Sequence, residues 1–491
     1  MIRRTSHVLR HDASRVIAKP YLPGEELAPG EAGSRAGLLM TRILALPEGE
    51  VVAVLGQVLR RFERRHKRFE ELLERHYSLV AHRTGDGALS RERRLLIGAY
   101  FTSEYAVEGA ALFNPSIVLA PDQTGTPAGE RRFVMSLRAV GEGHISSIEF
   151  RTGTIDGASA MTFDPLGGYL VTADRAPAAD YDKVQFRAKL VELDAGNELA
   201  WAVLDRLPER FALAELEESL ATLERDGPPH AISFETTKIM RVLAASSYVA
   251  TFPGDSALSE RVIFPAGPHE THGMEDARFV RFTEDSGAVT YYATYTAFDG
   301  FEIMPQLIQT DDFVSFRIGT LNGPAAQNKG MALFPRRVGG RFVMLSRRDR
   351  ENLHLATSTT DVRHWAELTE LHRPSLPWEL SQIGNCGSPI ETPEGWLVIT
   401  HGVGPMRRYV LGALLLDLDD PRRVIGQLRE PLLTPEGMER EGYVPNVVYS
   451  CGAFLNGKDL VLPYGLSDAA VGIAIVSVPE LLAELQRSAM A

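Results

Sequence analysis

Cysteine is nearly missing from this chain. Only Cys386 and Cys451 occur in 491 residues, which excludes a disulfide framework and a cysteine-built zinc site. Long apolar runs are missing as well: nothing reaches the roughly eighteen consecutive apolar residues that a membrane-spanning helix needs. Basic excess is the third absence. The 52 Lys and Arg face 64 Asp and Glu, for a net charge of −12, the wrong sign for a protein that neutralises nucleic-acid phosphates. The opening MIRRTSHVLRHDASR has basic residues but no apolar segment behind them, so a cytoplasmic location is expected rather than a secretory one.

What is present is ordinary for a soluble globular protein, with 44% hydrophobic and 24% charged residues, in a chain long enough for several units or one large β architecture. From Val51 to His82, apolar residues at 51, 55, 58, 59, 62, 69, 72, 73 and 77 predict one long helix. The run RRFERRHKR inside it reads as a solvated face laced with glutamates rather than as an anion site. A second helical stretch, ALAELEESLATLERD at 212–226, lies within a region of about 153–262 that reads as an insertion. The chain is therefore expected to divide into an N-terminal helical extension, 1–95, and a β-rich unit, 96–491, that carries the insertion.

Within the β-rich unit a pattern recurs five times: an irregular segment of small and polar residues leads into a short alternating strand. The copies begin at FNPSIV, HGMEDARFVRF, NKGMALFPRR, GNCGSPIE and PNVVYSCG, the last four near residues 272, 328, 384 and 445. A step of that size accommodates one four-stranded blade, and five copies predict an all-β, five-bladed β-propeller. Strand ends then converge on a central channel, gathering Asn114, Arg138, Glu275, Asp276, Arg278, Tyr295, Lys329, Arg347, His401, Tyr464 and Asp468. Turn and strand-end residues serving structure alone would reuse one residue type. This ring mixes carboxylates, cations, imidazole and phenol, as a chemical site does.

The motifs FNPS, MEDARF with YYATYTAFDG, NKGMALFPRRVGGRFVMLSRR, IGNCGSPIETPEGWLVITHGV, LLLDLDDPRRVIG, MEREGYVPNVVYSCG and LPYGLSDAAVGIA follow one another across residues 96–480. This series resembles glycoside hydrolase family 130, the inverting β-mannoside phosphorylases and β-1,2-mannosidases. The resemblance implies an enzyme that cleaves β-mannosidic linkages, β-1,2-mannooligosaccharides first among them, from the nonreducing end. It places Asp276 as the acid, its proton reaching the glycosidic oxygen through a mannose hydroxyl. Inversion needs such an acid on the leaving group and a nucleophile on the opposite face of the ring. Glu275 and Arg278 would hold the sugar or the loop. Asn114, Arg138 and Asp468 match the family's grip on the nonreducing mannose, with Tyr295 and Tyr464 as ring-face contacts and His354 at the rim. Ala277 stands where the family commonly has proline.

The nucleophile divides two readings. Lys329 and Arg347 match the family's phosphate-binding cations, with His401 on the neighbouring blade. Gln382, however, occupies a position where phosphorylases typically carry lysine, and Gly330 one where many have asparagine. Loss of an ammonium weakens an anion seat, because charge-assisted hydrogen bonds are about twice as strong as neutral ones. Glu391 could serve as the base that activates water. On this balance the expectation leans to a hydrolase releasing mannose, with a phosphorylase releasing α-mannose 1-phosphate as the alternative. A non-catalytic carbohydrate-binding propeller is the alternative of another class. No cofactor is expected, apart from inorganic phosphate as co-substrate of a phosphorylase. His272 has no histidine partner at HxH or HxxxH spacing, so no metal is expected. The expected partner is a β-mannoside oligosaccharide, with neither nucleic acid nor membrane; a homo-oligomer is compatible with the sequence.

Overall fold

The computed structural model describes residues 1–23, 34–85, 87–226 and 231–489. Antiparallel β-structure dominates it, in five arrays that follow one another along the chain. The first comprises Ala111–Leu119, Arg131–Val140 and Ser146–Ile155, with Met161–Phe163 and Arg261–Ile263 alongside. The second runs outward through Gly273–Thr283, Val289–Phe298, Ile303–Thr310 and Ser315–Thr320, and joins the first through one parallel pair, Gly273 with Ser146. The third is Ala332–Leu333, Phe342–Ser346, Leu353–Ser358 and Glu367–His372. The fourth is Gln382–Asn385, Gly395–Val403, Tyr409–Leu416 and Val424–Gln427. The fifth is Val448–Tyr449, Asp459–Leu466 and Ala470–Ser477.

The first ten residues were expected to belong to a helical extension. Instead Ile2–Arg10 pairs with Ala470–Ser477 as the outer strand of the fifth array. Alternating exposure along IRRTSHVLR suits an edge strand with one face on the core.

Burial explains why the arrays pack as they do. In Phe342–Ser346 and Gly395–Val403 every residue is buried, so these strands read as continuous apolar runs rather than alternating ones. Apolar clusters fill the space between each array and the next. Phe150 meets Phe279 and Phe316, Phe282 meets Phe342, and Phe334 meets Trp396. Leu397 and Leu411 pack with Leu460 and Leu462. The last cluster combines Val461 and Ile473 of the fifth array with Phe133 and Met135 of the first. The packing is therefore cyclic. Backbone bonds stitch the same junctions, including Thr283 N to Pro335 O at 2.9 Å, Tyr409 N to Asn446 O at 3.1 Å and Cys451 N to Pro115 O at 2.8 Å.

Most helices form apolar clusters of their own, whereas the C-terminal helix Val478–Ala489 joins the cluster between the fourth and fifth arrays. The long helix expected from 51 to 82 is two helices, Glu48–Phe62 and Phe69–Val80, interrupted at Arg68 with φ 51°. The interruption buries His66 against Glu104, Nε2 to Oε1 2.8 Å, so the charged run is partly a tertiary contact rather than a wholly solvated face. The inserted segment folds as Lys183–Glu192, Glu198–Asp205, Leu213–Asp226 and Ala231–Ala245 around an apolar cluster of its own. Asp182 and Asn197 cap the first two by accepting from backbone N–H groups. The segment returns through Tyr248–Thr251, which pairs with Ser315–Thr320 at the outer edge of the second array.

One buried polar cluster ties the N-terminal segment to the first array. Arg15 reaches Glu149 at 2.7 Å and Glu108 at 2.8 Å, and Arg151 contacts the same two carboxylates, all four side chains being nearly inaccessible. Removing one member of such a network leaves buried charge uncompensated. Arg15→Met is expected to cost about 3–5 kcal/mol in urea denaturation. A loss below about 1 kcal/mol would show that Arg151 alone satisfies both carboxylates.

Candidate active site

The inner strands of the arrays converge on a cavity of about 760 Å³. Two of them enter it through bulges. Pairing shifts between Phe113 and Ser116 and again between Glu275 and Arg278, and the displaced residues, Asn114 and Asp276, take left-handed conformations with φ 48° and 56°. A bulge re-aims side chains out of the ladder, and here it turns both into the cavity. Asn114 Nδ2 donates to Asp276 Oδ1 at 2.6 Å. Arg138 spans the acid pair, 2.7 Å from Glu275 Oε1 and 3.4 Å from Asp276 Oδ1, and Ser146 Oγ accepts its Nε–H at 2.9 Å.

Burial penalises the Asp276 carboxylate, but Arg138, Arg278, Lys329 and the Asn114 amide outweigh that penalty and hold its pKa below the ordinary value. Asp468, which lines the same cavity, goes the other way. Burial and the neighbouring charge of Asp276 push it up to about 6. The two carboxyls thus differ in proton affinity because one lies among cations and the other faces an anion.

Cations line the same cavity. Arg278 is 2% exposed and donates to the Asp276 carbonyl at 2.9 Å and to the Tyr449 hydroxyl at 2.5 Å. Arg347 is 7% exposed, and its Nη2 donates to the Arg350 carbonyl at 3.1 Å while its Nε has no partner. Two glycines flank it: a Cβ on Gly384 would stand 2.3 Å from Arg347 Cδ, and one on Gly330 3.1 Å from the same atom. His401 is wholly buried with an unpartnered Nε2. Burial first, then Arg347 and Arg278, hold His401 well below the usual histidine pKa, so it is neutral at pH 7. Gln382 donates to the Tyr409 hydroxyl at 3.3 Å. Among the described residues neither Arg278, Arg347 nor Lys329 has a carboxylate oxygen within 4.0 Å. Buried cations are normally paired; Arg278 and Arg347 are buried and each keeps an Nε–H without a partner, while Lys329 is exposed at the cavity surface.

Of the residues singled out from sequence, the structure brings together Asn114, Arg138, Glu275, Asp276, Arg278, Lys329, Arg347, Gln382, His401 and Asp468 around this cavity. Four lie elsewhere. Glu391 sits on Ile390–Thr392, whose alternation buries its neighbours and turns it outward into a bidentate pair with Arg336 at 2.6 and 2.8 Å. Tyr295 is buried against Glu270, which also accepts from Tyr248 at 3.0 Å. Tyr464 donates to Glu439 at 2.7 Å, and His354 lies beside Asp349 at 3.7 Å. Strand-end position alone did not distinguish side chains aimed inward from those spent on structural pairs. Tyr409, Tyr449, Arg350, Arg407 and Phe301 also line the cavity and were not singled out. Tyr449 could have been, since it stands within the fifth repeat copy.

The profile of the family described as beta-1,4-mannooligosaccharide phosphorylase matches residues 255–487. A 1,2-beta-oligomannan phosphorylase of Thermoanaerobacter sp. is 36% identical over 222 residues, covering 43% of this chain and 71% of that protein. The chain belongs to glycoside hydrolase family 130. A second relative from this family, the beta-1,2-mannobiose phosphorylase of Listeria innocua, is 31% identical over 232 residues, 46% of this chain and 63% of the relative. The solved structure of the Listeria innocua enzyme with beta-1,2-mannobiose aligns with TM-score 0.46 and 23% identity, over 78% of this chain and 93% of that one. The matched profile includes Asp276, Lys329, Arg347 and Asp468, whereas Asn114 and Arg138 precede it. Their place in the site rests on the fold.

An anion seat of this kind predicts ligand-linked stability. Millimolar phosphate or sulfate is expected to raise the melting temperature, since a ligand at one hundred times its Kd stabilises by about 2.7 kcal/mol. Arg347→Met should remove that rise in differential scanning fluorimetry. An equal rise in both proteins would place the anion elsewhere.

Proposed function

We propose that this protein is an inverting β-mannoside phosphorylase that acts on β-1,2-linked mannooligosaccharides and releases α-mannose 1-phosphate. The observation that supports this most is the pair of buried cations, Arg278 and Arg347, without carboxylate partners within 4.0 Å, lining the same cavity as Asp276 together with the exposed Lys329. Glycosidic cleavage by water would need a carboxylate base on the nucleophile side. Glu391, the residue suggested for that task, faces solvent with Arg336, Glu275, Asp276 and Asp468 all surround Arg138, and Glu302, the remaining carboxylate lining the cavity, is exposed on the turn before Ile303–Thr310. The order of the two readings drawn from sequence is therefore reversed. Phosphorylase names among the relatives point the same way.

In this reading the five arrays are the five blades of a propeller, closed by Ile2–Arg10 in the fifth. Helices 35–100 would form an extension and the helices between 183 and 245 an insertion. Asn114, Arg138 and Asp468 hold the nonreducing mannose. Phosphate enters as co-substrate, and no other cofactor takes part. Its oxygen bonds to C1 as the C1–O bond to the leaving sugar breaks, and a proton from Asp276, relayed by a mannose hydroxyl, neutralises the leaving oxygen. The electrostatics couple these events. Arg138, Arg278 and Lys329 help hold Asp276 ionised; a phosphate dianion offsets their field and raises the proton affinity of Asp276, which takes up from solvent the proton it later delivers. The nucleophile's arrival thus prepares the acid.

Hydrolysis remains a second reading because Gln382, a neutral amide, lines the seat. Proton NMR of β-1,2-mannobiose with enzyme decides between them. Phosphate-dependent α-mannose 1-phosphate is expected, whereas α-mannose appearing equally with and without phosphate would establish the hydrolase. Asp276→Asn should lower turnover at least about 10²-fold, as loss of a general acid does, with sugar binding retained. Glu391→Gln should keep turnover within about twofold, as a surface pair contributes little. A wild type that binds mannosides without converting them would identify a binding protein.

A further inference from the structure

Phe301 is 94% exposed, yet it lines the cavity that holds Asp276 and Arg347. An aromatic side chain left in water forgoes the burial that ordinarily stabilises it, and its position here is built rather than incidental. Asp299 Oδ1 accepts the N–H groups of Phe301 at 2.9 Å and Glu302 at 2.8 Å, fixing the turn between Val289–Phe298 and Ile303–Thr310. Gly300 has φ 98°, and a Cβ there would stand 2.8 Å from the His272 ring, which packs beneath the turn. His269 Nδ1 lies 3.4 Å from the Asp299 carboxylate. The backbone is thus held on three sides while the ring projects outward.

Depth assigns the ring its neighbour. Asn114, Arg278, Arg347 and His401 are all at most 7% exposed and form the floor, where the transferred mannose and the phosphate lie in the reading proposed above. An exo-acting enzyme must leave the remainder of the saccharide pointing through the mouth. The mouth is where Phe301 stands.

We propose that Phe301 is the platform for the saccharide on the leaving side of the scissile bond, stacking its ring on that sugar's C–H face and selecting the acceptor in the synthetic direction. This rests on the mannoside reading of the site. Aromatic rings suit the task because they offer a rigid apolar face without demanding a fixed hydrogen-bond pattern.

The test is steady-state kinetics of Phe301→Ala and Phe301→Trp in both directions, with isothermal titration of β-1,2-mannobiose and of α-mannose 1-phosphate onto the Asp276→Asn protein, with and without Phe301→Ala. Phe301→Ala is expected to raise the KM for mannobiose, and for free mannose as acceptor, about 5–20-fold, the size of a lost aromatic contact. The KM for phosphate and the affinity for α-mannose 1-phosphate should stay within about twofold, because the floor is untouched, and Phe301→Trp should restore the acceptor KM. Unchanged acceptor KM in an active Phe301→Ala enzyme overturns the platform while leaving the phosphorylase reading intact. Parallel losses for phosphate and acceptor would also overturn it, showing a structural role for the turn. A wild type that neither binds nor cleaves these saccharides overturns the mannoside reading and the platform with it.

Discussion

The site depends on a backbone constraint: residues at the inner ends of the arrays adopt left-handed conformations that only glycine takes freely. Asn114, Asp276, Asn328, Asn446 and Asp468 have φ of 48°, 56°, 68°, 63° and 53°. These five are Asn or Asp, whose short polar side chains tolerate this region best; Arg350, Arg407 and Ser467 near the cavity share the conformation without that advantage. Strain of about 1–3 kcal/mol at such positions persists only where the surroundings over-determine it. Here the ladders on both sides, and bonds such as Phe279 N to Ser116 Oγ at 3.0 Å, do so. The bulged geometry aims Asn114 and Asp276 at one another across two arrays, which in-register strands would not.

Electrostatics follow from that placement. A carboxylate turned inward among Arg138, Arg278 and Lys329 is stabilised as an anion, while the second carboxyl, Asp468, meets that anion and holds its proton more tightly. On the far side, aromatic hydroxyls rather than carboxylates face the arginines: Tyr449 accepts from Arg278 and stands 4.8 Å, edge to face, from the His401 ring. Burial and the like charge of Arg278 lower the pKa of Arg347. A carboxylate in place of Tyr449 would relieve that repulsion but fill the seat with a fixed negative charge. The phenol brings no fixed charge there, as the phosphorylase reading requires.

Much of this was legible in the sequence because it is repeated. FNPS, MEDA, QNKG and PNVV share a polar residue at the turn into each strand, and their recurrence located Asn114, Asp276, Lys329 and the fifth array. What could not be read was direction. Glu391 and Gln382 both belong to the fourth array, but one extra short strand turns Glu391 to the surface, and no period-2 pattern over three residues reveals that. Tyr295 and Tyr464 fail for another reason: each phenol is taken by a glutamate 25 residues before it, the buried Glu270 and the half-buried Glu439. Strand Ile2–Arg10 escaped notice because its partner lies at the opposite end of the chain, where local pattern has no reach.

The additions to the β-rich body, for all their length, bear on the outside of the ring. The inserted helices are anchored through Tyr248–Thr251 on the outer edge of the second array, whereas Asp276 lies on its innermost strand. Among the described residues lining the cavity, none comes from 35–100 or 183–245. In the mannoside reading proposed above, a saccharide leaving the floor meets short segments at the mouth, the turn 299–303 and Arg407 of the turn 405–408, where Met406 and Arg407 are left-handed. Turns of this kind can change without disturbing the ring, because their backbones are held by their own hydrogen bonds, as Arg408 N to Pro405 O at 3.3 Å illustrates. Asp276 and Arg278, by contrast, are tied to the first and fifth arrays through Asn114 and Tyr449, so in the reading proposed above the chemistry is fixed by the fold and the choice of sugar is left to the rim.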